Sequence, residues 1–423
     1  MLRLIYNALI CIAAPLAFGW TAWRGLRDPL YRDRLCERFG YTDLRLDGAI
    51  WVHAVSVGEV QAAATLVRTL RQRYPDRPLL VTTATPTGAQ RVQALFGDAV
   101  HHCYLPYDLP GAVRRFLDRV RPAIAVVMET EVWPNLYREC GRRQLPIVLA
   151  SARLSERSVR RFRRIAGLFR DALSQDIVIA AQTQADADRF LAVGANRAGT
   201  HVTGNVKFDL EIPEEVRVNG QALRAAQFAG RFVWVAGSTH DVEEDLVLQA
   251  HRSVQQARRD ALLILVPRHP NRFERVRQWL ASQAVPYATR SRGEQVTAET
   301  GVLLADTLGE LLMLYAACDV AFVGGSLVPI GGHNLLEPAA LERPVLSGPN
   351  NFNAPDIARL LFESGAALEV PSGDALATTL RDLASDPERR SQMGTAARAI
   401  VEANRGALAR VMALIEPLLR KAG

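Results

Sequence analysis

Residues 49–63, AIWVHAVSVGEVQAA, join a short apolar and β-branched run to an amphipathic stretch across a Ser-Val-Gly turn. This is the strand-to-helix half of a βαβ unit. The same juxtaposition recurs at PLLVTTAT (78–85), AIAVVME (123–129), PIVLASA (146–152), QDIVIAAQ (175–182) and THVTGN (200–205). Residues 209–220, DLEIPEEVRVNG, break the rhythm with acidic, Pro and Gly residues and read as a linker. Beyond them the pattern restarts at FVWVAGST (232–239), ALLILVPRH (261–269), TGVLLAD (300–306), CDVAFVGGS (318–326), RPVLSG (343–348) and AALEV (366–370). The reading is α/β: two doubly wound Rossmann-like domains facing a cleft.

The length supports two domains, because a chain of 423 residues exceeds what one core serves, about 250–300 residues. With 49% hydrophobic and 22% charged residues, the composition excludes a disordered, collagen-like or multi-span membrane chain. The 51 basic residues exceed the 44 acidic ones by seven, and only Lys207 and Lys421 are lysines. So diffuse a positive charge suits anionic surfaces or substrates, and no nucleic-acid partner is expected. Cys11, Cys36, Cys103, Cys140 and Cys318 are scattered without a CxxC pair, so neither zinc nor a redox motif is supported.

Between Arg3 and Arg24 lies LIYNALICIAAPLAFGWTAW, without a charge. As a helix it is long enough to cross a hydrocarbon core of about 30 Å. It reads as a retained anchor over residues 1–24, since its single n-region charge and the lack of a small-x-small site argue against a cleaved signal. Arg24, Arg27, Arg32, Arg34 and Arg38 follow at once, which places the body on the cytoplasmic side of the membrane, with Trp20 and Trp23 at the interface. Residues 25–210 and 211–423 are then the two globular domains.

In open α/β sheets ligands bind beyond the carboxyl ends of the strands. Those exits in the second half carry Gly237-Ser238-Thr239, Arg268-His269, Gly324-Gly325-Ser326 and Ser347-Gly348-Pro349. Gly331, Gly332 and His333 lead into Asn334, Leu335, Leu336 and Glu337, a glycine pair opening a helix. Its N–H groups suit a nucleotide phosphate, with Arg268 and His269 adding charge-assisted bonds and Glu337 accepting from ribose hydroxyls. The competing view makes the glycines turns and Asn334 with Glu337 a capping box. Neither a GxGxxG nor a P-loop motif is present, which argues against a nicotinamide site or a P-loop kinase.

In the first half Glu59 follows the 49–55 run, beside Gly58. It is either a first-turn acid complementing the helix dipole or a general base, provided that desolvation offsets the helix end. Glu129 and Glu131 end another strand, where alternation points only one of them into the cleft. Lys207 is the only lysine in the globular body and suits an electrostatic stabiliser. Arg157, Arg160, Arg161, Arg163 and Arg164 flank Phe162, Ile165, Phe169 and Leu173; such a helix is a solvated face or a lipid headgroup contact.

Ten ordered blocks carry a resemblance: ERFG (37–40), WVHAVSVGE (51–59), TTATPTG (82–88), YLPYDLP (104–110), METEVWPN (128–135), SARLSERS (151–158), GNVKFD (204–209), PRHPNRF (267–273), DTLGEL (306–311) and GGHNLLEPA (331–339). Across nearly the whole chain the sequence resembles the bacterial 3-deoxy-D-manno-octulosonic acid (Kdo) transferases of lipopolysaccharide assembly. It departs at Cys36, where a small residue such as Gly is expected.

The resemblance implies an inverting GT-B glycosyltransferase. It would move Kdo from CMP-Kdo onto the lipid A precursor, lipid IVA, at the cytoplasmic face of the inner membrane. It implies Glu59 as proton acceptor, Glu129 and Lys207 as transition-state aids, and Arg268, His269, Leu308, Gly309, Glu310 and Asn334 to Glu337 as the CMP site. The leaving group's charge would meet the helix end at Gly332 to Asn334 and Arg268. No DxD-like pair stands at a suitable strand exit, so neither a metal nor a cofactor is expected. Two rivals remain at this level: a membrane-tethered nucleotide-binding module without catalysis, and a GT-B transferase or epimerase using a UDP sugar.

Overall fold

The computed structural model describes residues 2–27, 29–164, 167, 172–173 and 177–421. Its contacts divide into two units, residues up to Asp209 together with Asn404–Gly423, and Leu210–Ala403.

In the first unit β1 (Ala49–His53), β2 (Leu79–Thr83), β3 (His101–Tyr104), β4 (Pro122–Met128), β5 (Ile147–Ala152), β6 (Ile177–Ala181) and β7 (Thr200–Val202) form one sheet in the order β3-β2-β1-β4-β5-β6-β7. Every pairing is parallel. Residues of β1 alternate between two cores: Ile50 and Val52 join one face, Trp51 the other. A strand buried on both sides must be apolar throughout, which is why AIWVHAV is nearly continuous. The chain order reverses between β1 and β4, and helix α2 (Val57–Arg73) leaves β1 at that switch point.

The second unit repeats the design with β8 (Val233–Thr239), β9 (Leu262–Pro267), β10 (Tyr287–Thr289), β11 (Val302–Leu304), β12 (Val320–Val323), β13 (Val345–Ser347) and β14 (Ala367–Glu369). Their order is β10-β11-β9-β8-β12-β13-β14, again wholly parallel, with its switch point between β8 and β12. Trp234 and Phe322 pack on one face, Val235 and Ala321 on the other.

One expectation about the organisation changes. The last helix, Ala407–Lys421, was assigned with everything after 211 to the second domain, yet it belongs to the first unit. Its Val411, Met412, Ile415 and Leu419 join the core of Ile50, Val52 and Leu66. Asp209 fixes its start by accepting from Gly406 N and Leu408 N, both at 2.6 Å. At the other end, helix α1 (Leu2–Arg27) is long and apolar enough to cross a membrane, as expected of the anchor stretch, and it also packs on the first unit. Tyr6 Oη donates to Asp108 Oδ2 at 2.7 Å, and Phe18 meets Phe39 edge-on at 5.5 Å. Leu9, Ile12, Leu16, Trp20 and Trp23 stay exposed. A helix of the basic segment spans Glu156–Arg164; Ile165 and Phe169 lie outside the described residues.

Candidate functional site

The first unit gathers Glu59, Glu129 and Lys207 at the carboxyl ends of β1, β4 and β7. Glu59 stands in the first turn of α2, and its Oε2 accepts from Val55 N at 2.7 Å. It thus does what a capping acid does. Burial nonetheless pushes its carboxyl up to about 7, with the Glu129 and Glu131 charges adding to the rise while the Val55 bond and Lys207 oppose it. A side chain at Gly58 would meet nothing closer than Ser56 Oγ at 3.9 Å, so the space above that turn is open.

Glu129 turns at once out of β4 with φ 56°, a left-handed conformation that costs a non-glycine residue roughly 1–3 kcal/mol. The turn delivers its carboxylate to two cations: Oε1 meets Lys207 Nζ at 2.9 Å and Oε2 meets Arg153 Nε at 3.3 Å. Asn205 positions Lys207, its Oδ1 accepting from Lys207 N at 3.0 Å, and Ser151 Oγ accepts from Val206 N at the same distance. Strand alternation does not separate Glu129 from Glu131, because the strand ends at Met128. The Glu131 carboxyl is itself raised to about 7, chiefly by burial and then by Glu129.

In the second unit the glycine exits are knitted to one another. Gly331 N and Gly332 N donate to Gly325 O at 3.1 and 2.9 Å, so this pair does not present open amides to an anion. Gly325 N, Ser326 N and Leu327 N, together with His240 N, donate to the fully buried Glu243 carboxylate at 2.8–3.2 Å. Asn334 Oδ1 accepts from Leu336 N, and its Nδ2 donates to Glu337 Oε1 at 3.0 Å. This is not the expected capping box: the helix Leu336–Ala340 has Leu335 at its N-cap without a side-chain cap bond, and Glu337 meets the Asn334 side chain rather than a backbone N–H. Leu335 and Leu336 are core side chains, which leaves only their backbone to face a ligand.

Charge and imidazoles concentrate at the β8/β12 switch point. His240 and His333 stack at 5.1 Å with their Nε2 atoms 2.8 Å apart, and His269 stands edge-on to His240 at 5.4 Å. Burial and the nearby Arg268 hold His333 down at about 3, while burial, His269 and the arginines hold His240 at about 4. Both are neutral at pH 7, and one ring donates to the other. Alongside, a depression of about 750 Å³ is lined by Arg290, Asp306, Thr307, Leu308 and Glu310 among others. Glu310 is clamped by the Arg290 fork at 2.8 and 2.7 Å. Gly309 turns at φ 83° and leaves Leu308 exposed at 74%. Among the described residues no group of three or more His, Cys, Asp or Glu could hold a metal ion.

A family model described as 3-deoxy-D-manno-octulosonic-acid transferase (kdotransferase) matches residues 33–210. A 3-deoxy-D-manno-octulosonic acid transferase of Haemophilus influenzae is 41% identical over 425 residues, covering all of both chains. The chain belongs to the Kdo transferase family. It is accordingly an enzyme, a glycosyltransferase. A relative of the same name from Bordetella pertussis is 38% identical over 99% of both chains. The fold is GT-B: a glycosyltransferase from Rickettsia africae superposes with TM-score 0.53 at 13% identity, over 88% of this chain and 99% of the other.

Several residues that surround the candidate positions escaped the sequence reading. Arg153 shares Glu129 with Lys207, yet SARLSERS gave no spacing that reveals the pairing. Glu243 looks like a first-turn acid until its four amides are seen. His240 carried a usable signal, since it directly follows β8, much as Arg268 and His269 follow β9.

Proposed function

We propose that this Kdo transferase takes its sugar from CMP-Kdo and delivers it to the lipid A precursor, with Glu59 as the general base. The observation that carries this is the placing of the Glu59 carboxyl, half-buried in the first turn of α2 beyond β1 and bonded to Val55 N at 2.7 Å, where desolvation pushes it up to about 7. A base poised near the working pH combines the right protonation state with enough basicity. An acceptor hydroxyl gives its proton to Glu59 and its oxygen attacks the anomeric carbon, while the bond to the CMP phosphate breaks on the opposite face. Configuration inverts through an oxocarbenium-like state. Lys207, oriented by Glu129, meets negative charge on the reacting sugar, whose carboxylate accompanies it throughout.

The nucleotide belongs to the second unit, at the β8/β12 switch point. Arg268 supplies the cation for the departing phosphate, aided by His269. Neutral His333 and His240 supply a ring N–H rather than a charge. Asn334, Glu337 and the Leu308–Glu310 turn hold the cytidine portion. The apolar exposed stripe of α1 keeps the enzyme at the inner membrane, where the acceptor resides, with the body on the cytoplasmic side.

The test is mass spectrometry of the lipid product from purified protein, CMP-Kdo generated in situ and tetraacylated acceptor. Stepwise Kdo additions that are suppressed by CMP and not by UDP are the expected result. Folded, CMP-binding protein that adds no Kdo would refute the proposal.

A further inference from the structure

Helix α1 contains two uncharged polar side chains in adjacent positions, Tyr6 and Asn7, and both reach into the first unit. Tyr6 Oη donates to Asp108 Oδ2 at 2.7 Å, and Asn135 Nδ2 donates to Asn7 Oδ1 at 2.9 Å. Asp108 and Asn135 are themselves buried, at 1% and 5% exposure. The two are also bound to each other. Asp108 takes Asn135 N at 2.9 Å and Leu136 N at 2.8 Å on its carboxylate, and Asn135 Nδ2 on its backbone oxygen at 2.6 Å. These amides open the helix Pro134–Arg142, which directly follows Glu129–Trp133, the loop carrying both carboxylates that bear on Glu59.

We propose that Tyr6 and Asn7 of α1 are positioning residues that hold the Glu129–Trp133 loop through Asp108 and Asn135, tying the membrane helix to the geometry of the base. A helix serving only as a tether needs no such bonds. Contacts at Tyr6 and Phe18 are twelve residues apart, about 18 Å of helix at 1.5 Å per residue, so α1 docks lengthwise rather than at a point. Removing the Tyr6 hydroxyl takes one of three donors from a buried carboxylate, and such a loss propagates to whatever that carboxylate orders.

The consequence for Glu59 has a sign. Glu129 and Glu131 raise its proton affinity and Lys207 lowers it, while Arg153 holds Glu129 from the other side. A loosened loop lets the two carboxylates retreat, so the Glu59 affinity falls. The inference rests on Glu59 acting as the base, and its test separates the two claims. Hydrogen exchange is followed in Tyr6→Phe with Asn7→Leu, in Asp108→Asn, and in Leu9→Ile as the exposed-face control, all in detergent. The first two variants should exchange about tenfold faster over 129–142 without change over 330–340, and the acid limb of their transfer rate should move to lower pH with CMP affinity unaltered. Leu9→Ile should match the parent. Unchanged exchange over 129–142 would overturn the docking claim, and faster exchange with an unmoved acid limb would overturn the coupling to the base. A parent protein without Kdo transfer would sink the functional reading alone, since the exchange result needs no activity.

Discussion

Lys207 is held by two groups with different jobs, Asn205 at its backbone and Glu129 at its ammonium. Glu129 is doubly engaged, by Lys207 and by Arg153, a geometry that suits orienting the two cations. Lys207→Ala should therefore lower turnover by about 100-fold, the usual effect of deleting one electrostatic stabiliser. CMP affinity should stay within twofold, because the proposed nucleotide ligands all belong to the other unit; calorimetry beside single-turnover transfer makes the comparison, and equal losses in both would contradict the assigned role. Lys207 was legible from sequence because lysine is so rare in this chain. Arg153 was not, since an arginine among 51 basic residues has no contrast, and only the left-handed turn at Glu129 brings the pair together.

At the scale of the element, the loops of the second unit are organised by a side chain that acts as an internal anion. Glu243 begins the helix Glu243–Ala257 and accepts from amides of the loop after β12. Desolvation raises its carboxyl in spite of four N–H bonds, so burial costs it and the amides compensate. Glu243→Ala leaves several buried N–H groups without acceptors, each costing roughly 1–3 kcal/mol. Urea unfolding should show a loss of about 3 kcal/mol or more, and CMP binding should weaken at least tenfold as the loop reorders; a loss under 0.5 kcal/mol would contradict this account. The strands themselves were legible because parallel strands buried on both faces read as unbroken apolar runs. The glycine-rich exits were legible as turns, but whether their amides face a ligand or another protein group depends on partners distant in sequence, such as Glu243 for the amides of Gly325, Ser326 and Leu327. The terminal helix was misassigned for a related reason: its amphipathic pattern says that one face is buried, not against which sheet.

For the molecule as a whole, the proposed mechanism divides the labour of group transfer between the two units. The first collects the carboxylates and Lys207 at its β1/β4 switch point, and the second collects arginine and neutral imidazoles at β8/β12. Both follow from one rule of doubly wound sheets, that strand exits at the reversal of chain order are left free for ligands. The central claim is that turnover depends on Glu59 as a base with a raised proton affinity. Its most direct test is the pH dependence of single-turnover Kdo transfer at saturating CMP-Kdo. Protonated Glu59 cannot accept the acceptor's proton, so the rate should fall about tenfold per pH unit below an inflection near 7 and be level above it, and Glu59→Ala should be slower throughout without that inflection. A rate independent of pH between 5 and 8 in the parent enzyme, or the same inflection retained in Glu59→Ala, would contradict the account.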